Sequence, residues 1–307
     1  MCVIGNTMLL LPILFPIVAG LLFLTVKGKK QQQIYIFSVV LLEVLFVWYL
    51  CLTQNRQMTF WHMSENVFIS FQNDGLSRFF ACLISIIWCL AAVYSLEYMK
   101  HEQNTKRFFV FYIMTLGALI GLSFSGNFIT LYLFYEMMTL LTVPFVIHSG
   151  TIEATKAAMK YLGYSIFGAG LALLGAFFLN YYCYTTTFTA GGTLNMTLVK
   201  GNENTLLIIF LIMMIGFGGK AGMFPLHGWL PTAHPVAPSP ASAVLSGIIT
   251  KGGVLAIIRV AYYLFGAEFL KGTWVQQVLL VLAMFTVFMG SMLAYKDYSK
   301  KDLPILQ

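Results

Sequence analysis

Charge is what this chain has least of. Only 9% of its 307 residues are Asp, Glu, Lys or Arg, against roughly 25% in an ordinary soluble domain. With 59% hydrophobic and 16% aromatic residues, the chain cannot cover a water-soluble surface and is read as a polytopic membrane protein. Cysteine is sparse as well. Cys2, Cys51, Cys82, Cys89 and Cys183 show no CxxC spacing and fall mostly in or beside apolar runs, which argues against a thiolate metal site or a disulfide framework and leaves them as small hydrophobes. No long soluble domain, low-complexity tract or obvious repeat interrupts the pattern. The first apolar run has no basic n-region and no clear small-residue cleavage site, so it is read as a retained span. Haem, flavin, nucleotide and iron–sulfur ligation motifs are lacking, so no cofactor is expected. The formal net charge of +7 does not point to nucleic acid, because the basic residues are scattered over short loops and form no stripe.

What is present is a series of apolar runs near twenty residues, the length that crosses about 30 Å of hydrocarbon. They lie at 8–26, 34–52, 76–96, 108–124, 127–147, 158–180, 205–223, 240–265 and 274–295. The predicted fold class is therefore an all-α polytopic transmembrane bundle of about nine spans. Lys and Arg are retained on the cytoplasmic side. One set of loops holds eleven of them (Lys27, Lys29, Lys30, Lys100, Lys106, Arg107, Lys156, Lys160, Lys296, Lys300 and Lys301), and the alternate set holds four (Arg56, Arg78, Lys200 and Lys271). This bias predicts an N-terminus outside and a cytoplasmic Gln307.

Charges inside the spans carry the functional signal, since an ionisable group in hydrocarbon costs at least about 2.5 kcal/mol and faces protein or water. Glu136, nine residues past Asn127, falls about 14 Å along its helix, at mid-membrane; it is a relay acid or a protonated structural one. Lys251, eleven residues past Pro240, falls about 16 Å into its own span; it is a relay base or a lysine held by carbonyls at a helix contact. Lys220 is flanked by Gly216, Gly218, Gly219, Gly222 and Pro225, a composition that breaks a helix and frees backbone groups to organise a hydrated route, or else a close glycine contact. His227 and His234, in the linker PLHGWLPTAHP, titrate near neutrality and serve as proton entry or as packing; seven residues apart with no carboxylate or thiol between them, they make a poor metal site. Lys160 is an interfacial anchor or a relay group. Arg259, about 12 Å beyond Lys251, is expected to snorkel, and Glu43 in the second span stays unassigned.

The segments NDGLSRFF, FYEMMTLLTVP, ATKAAMKYLGYSIFGAGLALLG and KAGMFPLHGWLPTAHPVAPSPASAVLSGIITKGGV carry a resemblance to the antiporter-like subunits of proton-pumping NADH:quinone oxidoreductase (complex I), membrane-bound hydrogenases and multisubunit sodium/proton antiporters. The resemblance covers nearly the whole chain. It implies that Glu136 is the fifth-span glutamate, Lys220 the broken-helix lysine, Lys251 the eighth-span lysine and Lys160 the sixth-span lysine of some members. It further implies three N-terminal helices over 1–107, a five-helix proton-channel repeat over 108–265, and over 266–307 only the first helix of a second repeat. An aromatic usual near Leu255 is aliphatic here. The function implied is translocation of protons or sodium through a Glu136/Lys220/Lys251 relay with Lys160, His227 and His234 as accessory groups. Other membrane subunits are the expected partners and handle the electrons, in a bacterial, archaeal or organellar inner membrane. A cation/proton antiporter not linked to redox chemistry and a non-transporting membrane anchor are the alternatives.

Overall fold

The computed structural model describes residues 7–53, 56–62 and 67–301, with side chains as far as Tyr295. Cys2, Gln307 and the side chains of Lys296, Lys300 and Lys301 lie outside the described residues. Within them, nine helices are long and apolar enough to cross a membrane: α1 Met8–Thr25, α2 Lys29–Leu52, α3 Gly75–His101, α4 Thr105–Ser123, α5 Phe128–Val146, α6 Ile152–Tyr182, α7 Glu203–Ala221, α8 Ser239–Phe265 and α9 Trp274–Tyr295. Their centres match the apolar runs. The clearest differences are the starts of α2 and α6, several residues earlier than hydropathy indicates, because helical hydrogen bonding continues through the polar turns outside the hydrocarbon. Lys156 and Lys160 thus sit on α6 itself.

Local chemistry fixes several helix starts. Asp74 caps α3 by accepting from the Ser77 amide at 2.8 Å, Asn127 caps α5 through the Thr130 amide at 2.8 Å, and Thr151 caps α6 through the Ala154 amide at 3.1 Å. Each satisfies one of the orphan N–H groups of a first turn.

The polar connection 53–75 is not a plain loop. It holds an antiparallel hairpin of β1 Gln57–His62 and β2 Phe68–Gln72. The hairpin is bonded to the start of α5, where the Ser70 amide donates to Thr130 Oγ1 at 2.9 Å and the Gly126 amide donates to the Ser70 carbonyl at 2.8 Å.

The centre of the bundle is α4, 72% of whose apolar window is buried, while α9, at 0%, lies outermost. Close approach to α1 is made at Gly117, where a Cβ would come within 2.6 Å of the Ile13 carbonyl oxygen. Small residues let membrane helices approach in this way, where packing replaces the hydrophobic effect as the driving force.

Arg259 does not snorkel. It is fully buried because Asp74, at the cap of α3, offers it a carboxylate: Nη1 donates to Oδ2, Nη2 donates to Oδ1 at 2.9 Å, and Nη2 also donates to Ser77 Oγ at 2.7 Å. The guanidinium lies over the rings of Tyr263 (4.6 Å) and Phe188 (5.2 Å). A planar fork matched to a carboxylate satisfies the charge more completely than a reach toward the interface.

Candidate functional site

The glycine-rich end of α7 breaks as its composition predicts. The helix stops at Ala221, and Gly222 adopts φ +91°, the left-handed conformation glycine accepts without strain. The amides of Gly222 and Met223 both return to the Gly218 carbonyl, and the Trp229 indole N–H donates to the Gly219 carbonyl at 2.9 Å. Carbonyls freed by the break therefore find donors within the protein, as non-helical backbone at membrane depth requires.

Lys220 lies in the last turn before this break, where the negative end of the helix dipole favours a cation. It is 2% exposed. Its ammonium has three donors, and three hydroxyls meet them: Tyr161 Oη at 2.6 Å, Thr139 Oγ1 at 2.9 Å and Ser165 Oγ at 3.2 Å. Its Nζ also lies over the Tyr161 ring at 4.4 Å and near the Tyr135 ring at 5.9 Å. Tyr161 Oη continues to Thr142 Oγ1 at 2.7 Å, so α5, α6 and α7 share one hydroxyl network.

Glu136 belongs to the same place. It precedes Thr139 by three residues on α5 and so shares its face. No ion pair joins it to Lys220 among the described residues. Glu136 Oε1 is buried and has no hydrogen-bond partner.

Lys251 is placed differently from the mid-membrane burial the sequence predicts. It is exposed on the side of α8, donating to the Ser246 carbonyl at 2.7 Å, and no hydrogen bond joins it to the Lys220 network among the described residues. The inward positions of α8 are taken by its two glycine neighbours. A Cβ on Gly253 would stand 2.8 Å from the Phe217 carbonyl oxygen, and one on Gly252 would stand 3.0 Å from Met138 Sδ. The lysine between Thr250 and these glycines is turned away. Two π-helical stretches, Leu245–Ile249 and Arg259–Phe265, shift the face of α8 on either side of it.

The accessory groups gather at the connector after the break. Lys160 is exposed, with Nζ 4.0 Å from where a Gly228 Cβ would sit, and Tyr164 Oη is 3.0 Å from that point. His227 stacks on Phe224 at 5.6 Å and its Nδ1 is buried without a partner. His234 bonds Ser242 Oγ through Nδ1 at 2.7 Å, tying the connector to α8, and burial lowers its pKa. Among the described residues no group of three or more His, Cys, Asp or Glu side chains could hold a metal ion.

Thr139, Thr142, Tyr161 and Ser165 are the members of the candidate site that sequence reasoning missed. Their spacing offered a signal: Thr139 and Thr142 follow Glu136 at i+3 and i+6, and Tyr161 and Ser165 lie four apart on one face of α6.

A family model described as "NADH:quinone oxidoreductase/Mrp antiporter, TM" matches residues 125–303. One described as "NADH-Ubiquinone oxidoreductase (complex I), chain 5 N-terminus" matches residues 61–109. The chain is similar to one Na(+)/H(+) antiporter subunit of Alkalihalophilus pseudofirmus, 35% identical over 73% of this chain and 29% of that protein. It is also similar to another Na(+)/H(+) antiporter subunit of the same organism, 26% identical over 97% of this chain and 60% of that one. Hydrogenase-4 component B of Escherichia coli is 30% identical over 67% of this chain and 30% of its own length. Among solved structures, the membrane-bound sulfane sulfur reductase, an archaeal respiratory membrane complex, shares the fold with a TM-score of 0.74 at 19% identity, covering 92% of this chain and 58% of that one. The chain thus spans less than two thirds of the relatives it matches.

Proposed function

Since this chain belongs to the NADH:quinone oxidoreductase/Mrp antiporter family of transmembrane subunits, we propose that it is a cation/proton-translocating subunit in which Glu136 and Lys220 form the switch. The observation that carries this reading is the setting of Lys220, buried among three hydroxyls. A hydroxyl both accepts and donates, so the same three groups serve an ammonium and, after reorientation, a neutral amine. Neither protonation state leaves the nitrogen without partners. Burial disfavours the ammonium and a nearby carboxylate favours it, so moving the Glu136 charge nearer or farther would load or release the proton. The released proton passes along Tyr161 and Thr142 or through internal water toward Lys251, with Lys160, His227 and His234 lining entry at the connector.

The signal that sets the pair comes from electron transfer in partner subunits, by analogy with the hydrogenase and respiratory relatives. The second reading, an antiporter component free of redox chemistry, draws on the two Na(+)/H(+) antiporter subunits among the relatives.

The test is made in the assembled complex. Lys220→Ala and Glu136→Gln should largely abolish ion pumping while the partners' redox chemistry survives under uncoupled conditions. Normal pumping by both variants rejects the switch. Purification with no co-migrating redox subunits, together with intact exchange activity, favours the second reading.

A further inference from the structure

Glu43 is 0% exposed, and neither of its carboxyl oxygens has a hydrogen-bond partner among the described residues. It sits fourteen residues past the start of α2, about 21 Å along that helix and so deep in the hydrocarbon. No cation among the described residues pairs with it. A bare ionised carboxylate in such a place is far too costly to persist, and the group carries its proton instead.

Polar contacts mark the seam between α2 and α3 on the way to this acid. At its edge, Asn73 Nδ2 donates to the Leu50 carbonyl at 2.6 Å. One step inward, Cys51 Sγ meets the Arg78 carbonyl at 3.8 Å. Next, the Trp48 indole N–H donates to Ser85 Oγ at 3.2 Å, and Ser85 Oγ donates to the Cys82 carbonyl at 2.8 Å. The helices run antiparallel, so each residue back along α2 is level with one forward along α3. Glu43, five before Trp48, therefore comes level with a point about five past Ser85, within one turn of Trp88.

Trp88 is also fully buried, and its indole N–H is likewise unpartnered among the described residues. Its ring lies tilted against that of Tyr112 with centroids 4.7 Å apart, and its carbonyl accepts from the Tyr112 hydroxyl at 2.7 Å. The buried positions of α3 just beyond it are Ala91 and Ala92, both small side chains. Two orphaned polar groups thus share one depth on facing helices, beside small residues, at the inner end of a ladder of polar contacts. Orphaned buried polar groups are rare, and ordered water is their usual partner.

We propose that Glu43 is a second proton-carrying site of the membrane domain, remote in sequence from the Glu136–Lys220 pair, whose carboxylic acid exchanges its proton with water along the α2/α3 seam and is linked through internal water to the Trp88 indole. It goes beyond the Lys220 switch and stands or falls separately from it.

Infrared spectroscopy of the full chain in lipid vesicles tests this. The carbonyl stretch of a protonated buried carboxyl is separate from the bands of ionised carboxylates. Such a band is expected in the parent protein at neutral pH, lost in Glu43→Gln, retained in Glu136→Gln, and shifted down when the vesicles are moved to deuterated water. Trp88→Phe should move it to the higher frequency of a less hydrogen-bonded acid. Equal bands in the parent and Glu43→Gln would overturn the proposal, as would a band indifferent to deuterated water; indifference to Trp88→Phe would overturn the indole link. Should the glutamine variant fail to fold, Glu43→Asp keeps the acid and must displace the band. Lys220→Ala leaves the band in place, so failure of the switch and failure of this site are distinguishable.

Discussion

Replacing Asp74 with asparagine keeps the shape of the side chain and one of its oxygens but removes the charge that answers Arg259. In the parent structure the carboxylate accepts from both terminal nitrogens of Arg259, from the Ser77 amide at 2.8 Å and from Gln72 Nε2 at 3.2 Å. The substituted carboxamide would retain the cap on α3 and one guanidinium contact. Arg259, fully buried, would keep its charge with nothing to balance it. Removing one member of a buried pair costs about 3–5 kcal/mol. The faces of Tyr263 and Phe188 still hold the cation with about 0.5–2 kcal/mol, and the Asp74 side chain is 23% exposed, so we expect the low end, about 3 kcal/mol. The assay is unfolding in mixed detergent micelles across increasing SDS, followed by far-ultraviolet circular dichroism. Arg259→Met combined with Asp74→Asn should be less damaging than Asp74→Asn alone, because the double variant leaves no orphaned charge. A single variant within about 0.5 kcal/mol of the parent, with additive effects in the cycle, would refute the reasoning.

Tyr161→Phe removes the hydroxyl 2.6 Å from Lys220 Nζ and 2.7 Å from Thr142. A hydrogen bond to a charged group contributes about 1.5–3 kcal/mol, so cation transport measured with a pH-sensitive dye in vesicles should slow by about ten- to a hundredfold, and unchanged transport would exclude this hydroxyl from the path. Two groups outside the spans give testable contributions to the pH response. Burial of Asp74 opposes its charge, but the Arg259 bond and charge and the Ser77 bonds prevail and hold its pKa down, so its stabilisation is present above the usual carboxylate value of about 3.9 and lost as pH falls through its lower folded value. Burial first, and then the Arg107 charge, lower the pKa of His148. Its native form therefore binds fewer protons than the unfolded chain, and stability should fall as pH drops from about 6.5 toward the folded value. In the same unfolding assay that decline should be absent from His148→Gln.

The spans were legible because hydropathy over twenty residues reports directly on the solvent a segment must occupy. The break beside Lys220 was legible for an equally local reason, since Gly222 and Pro225 act on the backbone next to them. Arg259 and Lys251 were misplaced for a common cause: burial depends on what stands opposite. Asp74 is 185 residues from its arginine, and nothing near Arg259 in sequence announces it. Lys251 is turned outward by which neighbours on α8 are small enough to touch Phe217 and Met138, a fact of rotation about the helix axis that depth along the span does not contain. The hydroxyl cradle of Lys220 was hidden because threonine, serine and tyrosine are common in membrane helices, and only their convergence from α5 and α6 distinguishes these four.

Helix α7 touches its neighbours with bare main chain on both flanks. A Cβ on Gly216 would collide with the Gly168 carbonyl oxygen of α6, and one on Gly253 of α8 would reach the Phe217 carbonyl and the Ala221 amide of α7. Main chain packed against main chain leaves no side-chain layer between these helices, so displacing α7 disturbs both neighbours directly. The four-carbon arm of Lys220 and the hydroxyls around it keep the rotatable bonds that the packed backbone lacks. On the proposed reading, a message from elsewhere in an assembly can reach the ammonium as a change of electric field without the helix that carries it having to move.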